Sequence, residues 1–345
     1  MDFNLDETQQ DLRKLAAEVL SKEGDTGEER LRQAGLMSVC VPEEAGGAGL
    51  GPVEMAVVLR EVGARAAPVP ALPTLAGTLA LARYGTLDQQ RRHSGDVSGE
   101  GAPDGRVTLA LREPGRALAD PPVTAARPVG DGWALTGRKV SVLYPGAAVL
   151  VSADEGLFLV EPRSAAASGA APAFAPEFTS TGEPAATLVL DGTPAERVAG
   201  PEAVAGTGRL FTAAVAAQAS GVLAGALELT TSYIRTRKQF GRALAEFQAV
   251  TMQIADVYIA GRALDVAMWS AVWRLGEGLP AEQDLALAAY HVSEAFKALY
   301  TCQHLHGGLG LDVTYPLHRY FAQAKHLSHL LGGADAQLDL IGALV

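Results

Sequence analysis

The chain has little cysteine, a shortage of positive charge and no run of basic residues. Its 345 residues include two cysteines, Cys40 and Cys302, far apart and each in an apolar string ("LMSVCVP" and "LYTCQHL"). That pattern fits buried thiols in a reducing compartment better than a disulfide, so the cytoplasm is the expected location. Lys and Arg number 28 against 39 Asp and Glu, a formal charge of −11. With no basic stretch to counter a polyphosphate backbone, nucleic acid is not an expected partner. The N-terminal string "MDFNLDETQQDLRKL" lacks a basic region followed by an apolar one, so no secretory signal is expected. One stretch, "LFTAAVAAQASGVLAGAL" (210–227), carries no charge over 18 residues. Ala, Gly, Ser, Thr and Gln dominate it, and it reads as a buried bundle helix rather than a membrane span.

What the chain does have is apolar material, 48% hydrophobic against 19% charged residues, enough for a large core or a few packed units. Three segments differ in character. In 1–105, Phe3, Leu5, Leu12, Leu15 and Val19 recur at helical spacing, a helix is expected to end near Gly35, another to run from Pro52 to Val62, and a third to reach Gly85. The polar string from Thr86 to Gly105 reads as a linker or a surface helix before a boundary. In 106–200 the strings "VTLALR", "WALTGRKVSVL", "AAVLVSA", "GLFLVEP" and "TLVLDG" predict short strands, and "SAAASGAAPAFAPE" (164–177) reads as a loop. In 201–345 the pattern is helical again. Phe247, Val250, Ile254, Val257, Gly261, Leu264 and Met268 form the seam of one long helix, Pro280 is expected at the first position of the next, and the last begins after "TYP".

The densest cationic string is "RTRKQFGRALAEFQAV" (235–250). Arg235, Arg237 and Lys238 can cap a helix C-terminus and its dipole, or can hold a phosphate by charge-assisted hydrogen bonds. The adjacent glycines of "CQHLHGGLG", Gly307 and Gly308, allow close approach of a ligand to backbone. The pairs "HLH" and "HLSH" have no Cys or carboxylate at ligand spacing, so no metal is expected, and Trp133, Trp269 and Trp273 read as packing residues.

These strings together resemble the acyl-CoA dehydrogenase family. "GLMSVCVPEEAGGAGLGPVEMAVVLREVG" is similar to its N-terminal helices, "ALREPG" and "DGWALTGRKVSVL" to its middle domain, and "RTRKQFGRALAEFQAV" and "LHGGLGLDVTYPLHRYFAQAK" to its C-terminal bundle. The resemblance implies an α+β multidomain fold: an N-terminal helical domain over 1–105, a middle β-barrel-like domain over 106–200, and a C-terminal four-helix bundle over 201–345. It also implies FAD shared between subunits. Arg237, Gln239, Phe247 and Gln248 would reach a flavin bound largely by a neighbour, with His304, Gly307 and Gly308 as a second contact region. His304 stands where the family has Gln; an imidazole can still donate one hydrogen bond.

The chain also departs from the family. The glutamate that takes the substrate α-proton is missing at both usual places, where Leu331 and Gly208 stand. The middle-domain string "REPGRALAD" carries Arg112 and Arg116 and has lost its serine, and "KVSVLYPG" stands where the family strand usually presents Trp and hydroxyl groups to the flavin. Loss of base and platform with retention of the bundle corner implies a base-lacking subunit that pairs with an acyl-CoA dehydrogenase partner in an α2β2 complex, acting on an acyl-CoA. Electron-transfer flavoprotein is the candidate electron acceptor, and subunits of this type often serve bulky steroid or polycyclic esters. One alternative is a self-sufficient homo-oligomer with its base moved to Asp335, His329 or Glu246. Another is a non-redox acyl-thioester binding protein or enzyme on the same fold.

Overall fold

A computed structural model of the chain describes residues 3–21, 27–93, 106–145, 148–167 and 170–344. Helices α1 (Glu7–Ser21), α2 (Gly27–Gln33), α3 (Pro52–Ala64), α4 (Ala71–Tyr84) and α5 (Leu87–Arg92) come first. Strands β1 (Val107–Ala110), β2 (Ala125–Val129), β3 (Gly132–Leu143), β4 (Ala148–Ala153) and β5 (Gly156–Val160) follow, then the short helix α6 (Pro162–Ala167) and strands β6 (Ala173–Glu177) and β7 (Ala185–Ala199). The long helix α7 (Pro201–Thr236) leads to the two-residue strands β8 (Lys238–Gln239) and β9 (Arg242–Ala243). Helices α8 (Gln248–Gly276), α9 (Glu282–His306), α10 (Leu317–Leu330) and α11 (Gly333–Leu344) complete the chain.

Two compact units divide these elements. One takes Glu28–Met55 and Val69–Phe211 and is built on a sheet of order β1-β4-β5-β7-β3-β2, with β6 also paired to β7. β4 and β5 are buried at every position, which is why "AVLVSA" and "GLFLV" are continuous apolar runs rather than alternating ones. Leu135, Val142, Val149, Val151, Phe158, Leu188 and Leu190 form its core. The long β3–β7 pair is irregular between Leu135 and Gly137 and again between Lys139 and Val142, and such extra residues bend a strand and curl its sheet. Helix α4 lies against β1 so closely that a side chain at Gly77 would meet the Val107 carbonyl at 2.9 Å.

The other unit takes Met1–Gly27, Ala56–Pro68 and Thr212–Val345. It is a helical assembly in which α3 and α7 touch backbone to backbone: a Cβ on Gly63 would stand 2.0 Å from the Gln218 carbonyl, and one on Gly221 1.9 Å from that of Arg60. Asp265 of α8 ties three helices by accepting hydrogen bonds from Ser220 at 2.5 Å and Arg60 at 3.4 Å. The seam of α8 buries Val257, Leu264, Met268 and Val272, and α9 buries Leu285, Val292 and Leu299. Helix α7 is long and apolar enough to cross a membrane, but 83% of its most apolar window is buried inside the protein, as expected of a buried helix.

Several details differ from the sequence reading. The string 164–177 is not simply a loop, since it holds the end of α6 and all of β6; Pro176 is compatible with a strand there because β6 is an edge strand. Strand β2 went unpredicted because "AARPV" is mostly exposed and contains a proline. Pro280 is not the first helical residue, for α9 starts at Glu282 after Ala281. The last helical run is broken in two, because Gly332 and Gly333 take φ of +87° and +81°, values that cannot continue a helix. Thr86 opens α5 with a reciprocal cap to Gln89, so that stretch begins as a helix, and residues 94–105 of the string lie outside the described residues.

Candidate cofactor and catalytic site

The cationic string forms a hairpin between α7 and α8. Gln239 pairs with Arg242, and the two residues between them, Phe240 and Gly241, have φ of 51° and 82°, the signature of a type I′ turn. The turn normally takes Asn-Gly; a phenylalanine in left-handed conformation costs roughly 1–2 kcal/mol. Arg237 is pinned by its backbone, donating to the Tyr233 carbonyl at 2.9 Å and accepting from the Leu244 amide at 2.9 Å. Its guanidinium is free, and so are the charged groups of Arg235 and Lys238, all exposed and without a hydrogen bond or ion pair to any described residue. Arg242 lies over the Phe247 ring at 4.2 Å. Gln239 and Gln248 are exposed beside them. On an acidic chain, this is a corner of unneutralised cations and amides, a donor set suited to a diphosphate.

The second string closes α9. His304 is exposed, and Gly307 adopts φ 60° and ψ −137°, a backbone state for glycine alone. A Cβ on Gly307 or Gly308 would meet nothing within 4 Å, so the fold's own packing does not require a glycine at 308. His306, which sequence reasoning passed over, joins the two strings. It is 3% exposed, stacks on Tyr233 of α7 at 4.4 Å between ring centroids and 20° between planes, and leans on Tyr315 at 5.3 Å. Its Nδ1 donates to the Cys302 carbonyl at 2.8 Å, and burial lowers its pKa, favouring the uncharged ring. Nε2 is buried with no partner, an arrangement that costs about 1–3 kcal/mol. The only hint in the sequence was the second histidine of "HLH", which has the helical spacing of an inward-facing residue.

Neither of the two positions expected from the resemblance to hold the base carries a carboxylate. Leu331 ends α10, is 3% exposed, and its carbonyl accepts from Gln337 Nε2 at 2.5 Å. Gly208 lies within α7, and open space surrounds its Cβ position. The three relocation candidates sit in ordinary helical surroundings. Asp335 is exposed in the first turn of α11, and His329 is exposed with Nδ1 donating to the Lys325 carbonyl at 2.7 Å. Glu246 is exposed, and its Oε1 accepts from the Ala243 amide at 3.2 Å, a helix-start contact.

The two divergent middle-domain strings meet each other. Val140 donates to the Arg112 carbonyl at 3.0 Å, and Arg112 Nη1 donates to Ser141 Oγ at 3.2 Å. Glu177 accepts from the Ser141 amide at 3.1 Å and from Thr187 Oγ1 at 2.6 Å. Burial lowers the Arg112 pKa, with Glu177 opposing the shift. A half-buried guanidinium and a polar network thus join these two strings.

Comparison with known proteins agrees with this architecture. Residues 6–98 match the acyl-CoA dehydrogenase N-terminal domain and residues 208–345 its C-terminal domain. Acyl-CoA dehydrogenase FadE28 of Mycobacterium tuberculosis is 40% identical, the alignment covering 99% of this chain and 98% of that protein. FadE27 of the same organism is 35% identical with the same coverage. Among solved structures, a variant of the Tcur3481-Tcur3483 steroid ACAD is 38% identical with a TM-score of 0.88, covering 98% of this chain and 97% of that one. The ChsE4-ChsE5 complex from M. tuberculosis is 33% identical with a TM-score of 0.86, covering 99% and 98%. The chain therefore belongs to the acyl-CoA dehydrogenase family, FAD-dependent oxidoreductases acting on CH–CH bonds.

Proposed function

We propose that this chain is the base-lacking subunit of a heteromeric acyl-CoA dehydrogenase, supporting FAD-dependent α,β-desaturation of an acyl-CoA through a flavin bound largely by its partner subunit. The observation that carries the reading is the pair of vacant base positions, a buried Leu331 and a side-chain-free Gly208, in a chain whose cationic string keeps its charges unpaired. FAD, when bound, supplies the hydride acceptor for the substrate β-carbon. The chain's own part is to bind and orient. Arg237, with Gln239 and Gln248, holds the pyrophosphate region, Phe247 packs beside it, and Gly307 and Gly308 with His304 admit the dinucleotide to the end of α9. The α-proton goes to a carboxylate of the partner, because this chain offers none in a base position.

Three further observations support the heteromeric form. Arg112 and Ser141 bond to each other in the strings that would otherwise face a flavin. Asp335, His329 and Glu246 are exposed, whereas desaturation needs a base sheltered against a polarised thioester. Similar solved structures are the Tcur3481-Tcur3483 steroid ACAD and the ChsE4-ChsE5 complex, which favours a paired chain and a bulky, steroid-like acyl group. A cytoplasmic setting and electron-transfer flavoprotein as acceptor complete the reading. The test is turnover of acyl-CoA with an artificial electron acceptor, by the chain alone and co-expressed with an acyl-CoA dehydrogenase partner chain from the same genome. Activity only in the pair supports the proposal; full activity of the lone chain rejects it.

A further inference from the structure

At the cofactor corners, the His306 Nε2 is a buried side-chain atom with no hydrogen-bond partner among the described residues. We infer that His306 is a further cofactor-contact residue, whose Nε2 accepts a hydrogen bond from an N–H or O–H of the dinucleotide held at these corners, directly or through one water. The inference rests on the proposed reading of the corners as a dinucleotide site.

The tautomer gives Nε2 its role. Nδ1 faces the Cys302 carbonyl at 2.8 Å and must carry the proton, so Nε2 of the neutral ring can only accept. Position gives it a reason. The imidazole stacks on Tyr233, whose carbonyl receives the Arg237 amide, so the ring stands one helical turn from the cationic hairpin. Next in the chain come Gly307 and Gly308, with open space where their side chains would be. A phenylalanine would keep both ring contacts, and a leucine would fill the volume, each without leaving a buried acceptor unsatisfied. The nitrogen is therefore the feature that needs an explanation, and a donor arriving with the ligand supplies one. Ribityl and ribose hydroxyls and the adenine amine are donors of that kind.

The test uses the co-purified complex and four variants: His306→Phe, His306→Leu, His306→Gln and Arg237→Ala. FAD affinity is read by flavin fluorescence, and the ¹⁵N resonance of His306 Nε2 is followed as FAD is added to the wild-type apo-complex. His306→Phe, which keeps the stack, should bind FAD about tenfold more weakly, the equivalent of one ordinary hydrogen bond, with assembly and melting temperature retained. His306→Leu should weaken it at least as much. His306→Gln, whose amide oxygen can accept, should stay within about threefold of wild type. The Nε2 resonance should move upfield on FAD binding. Wild-type affinity in His306→Phe, or an unmoved resonance, overturns the inference. The resonance measurement stands even where a variant fails to fold. If Arg237→Ala weakens FAD binding while His306→Phe does not, only the role of His306 falls; if neither does, the reading of the corners falls with it.

Discussion

Lys139 Nζ stands 2.7 Å from Glu113 Oε1, with the lysine side chain 0% and the glutamate 3% exposed. Lys139 also donates to Ser152 Oγ at 2.9 Å, and Glu113 accepts from the Thr124 amide and hydroxyl and from the Val123 amide. Burial alone would raise the Glu113 pKa, but the hydrogen bonds from Lys139, Thr124 and Val123 outweigh it and hold the carboxyl well below its ordinary range. The pair pins the loop that carries Arg112 and Arg116 to strand β3.

Removing one partner should therefore be costly. Lys139→Met strands a buried carboxylate and should destabilise the protein by about 3–5 kcal/mol in urea unfolding, while Lys139→Met with Glu113→Gln should lose less than the sum of the two single changes. Because the folded pKa of Glu113 is depressed, its contribution is complete above the ordinary carboxylate range near pH 4.3 and is lost as pH falls through the folded value. Melting temperature should drop with acid in this window for the wild type, and by a smaller increment for Glu113→Gln.

The two vacant base positions should respond differently to a restored carboxylate. Open space at Gly208 admits Glu, and replacing a helical glycine gains up to about 1 kcal/mol, so Gly208→Glu should fold with unchanged or raised melting temperature. Leu331 is buried, so Leu331→Glu loses apolar packing and buries a charge, at a cost of about 3–5 kcal/mol. Equal melting temperatures would contradict the environments described for these two residues.

The hairpin turn stores strain that a substitution can release. Phe240 is 93% exposed and has φ 51°, so its edge contact with Phe247 at 6.4 Å protects little surface. Phe240→Asn, better suited to the turn, should raise stability by up to about 1 kcal/mol in thermal unfolding.

Much of this architecture was legible in the sequence. The apolar runs of β4 and β5, the turn glycines and the long seam of α8 each carry the period of the element they form. The edge strands β2 and β6 were not legible, because an edge strand can be polar and hold proline while its pairing comes from a distant partner. Likewise the motif strings offered Arg237, Gly307, Leu331 and Gly208 as the positions to inspect. Motif strings did not give His306, since its burial and its stack on Tyr233 depend on residues 73 positions apart in the chain packing side by side. The bond between Arg112 and Ser141 was hidden for the same reason.

On the proposed function, this chain lends a corner to a partner's flavin and holds none on its own platform. The most direct measurement is the FAD-to-protein ratio, from the visible absorption of the purified lone chain and of the co-expressed complex. A nearly colourless lone chain, a complex with one FAD for each pair of unlike chains, and a marked loss of FAD from the complex with Arg237→Ala are the predicted results. One FAD for every copy of the lone chain, unaffected by Arg237→Ala, would contradict it.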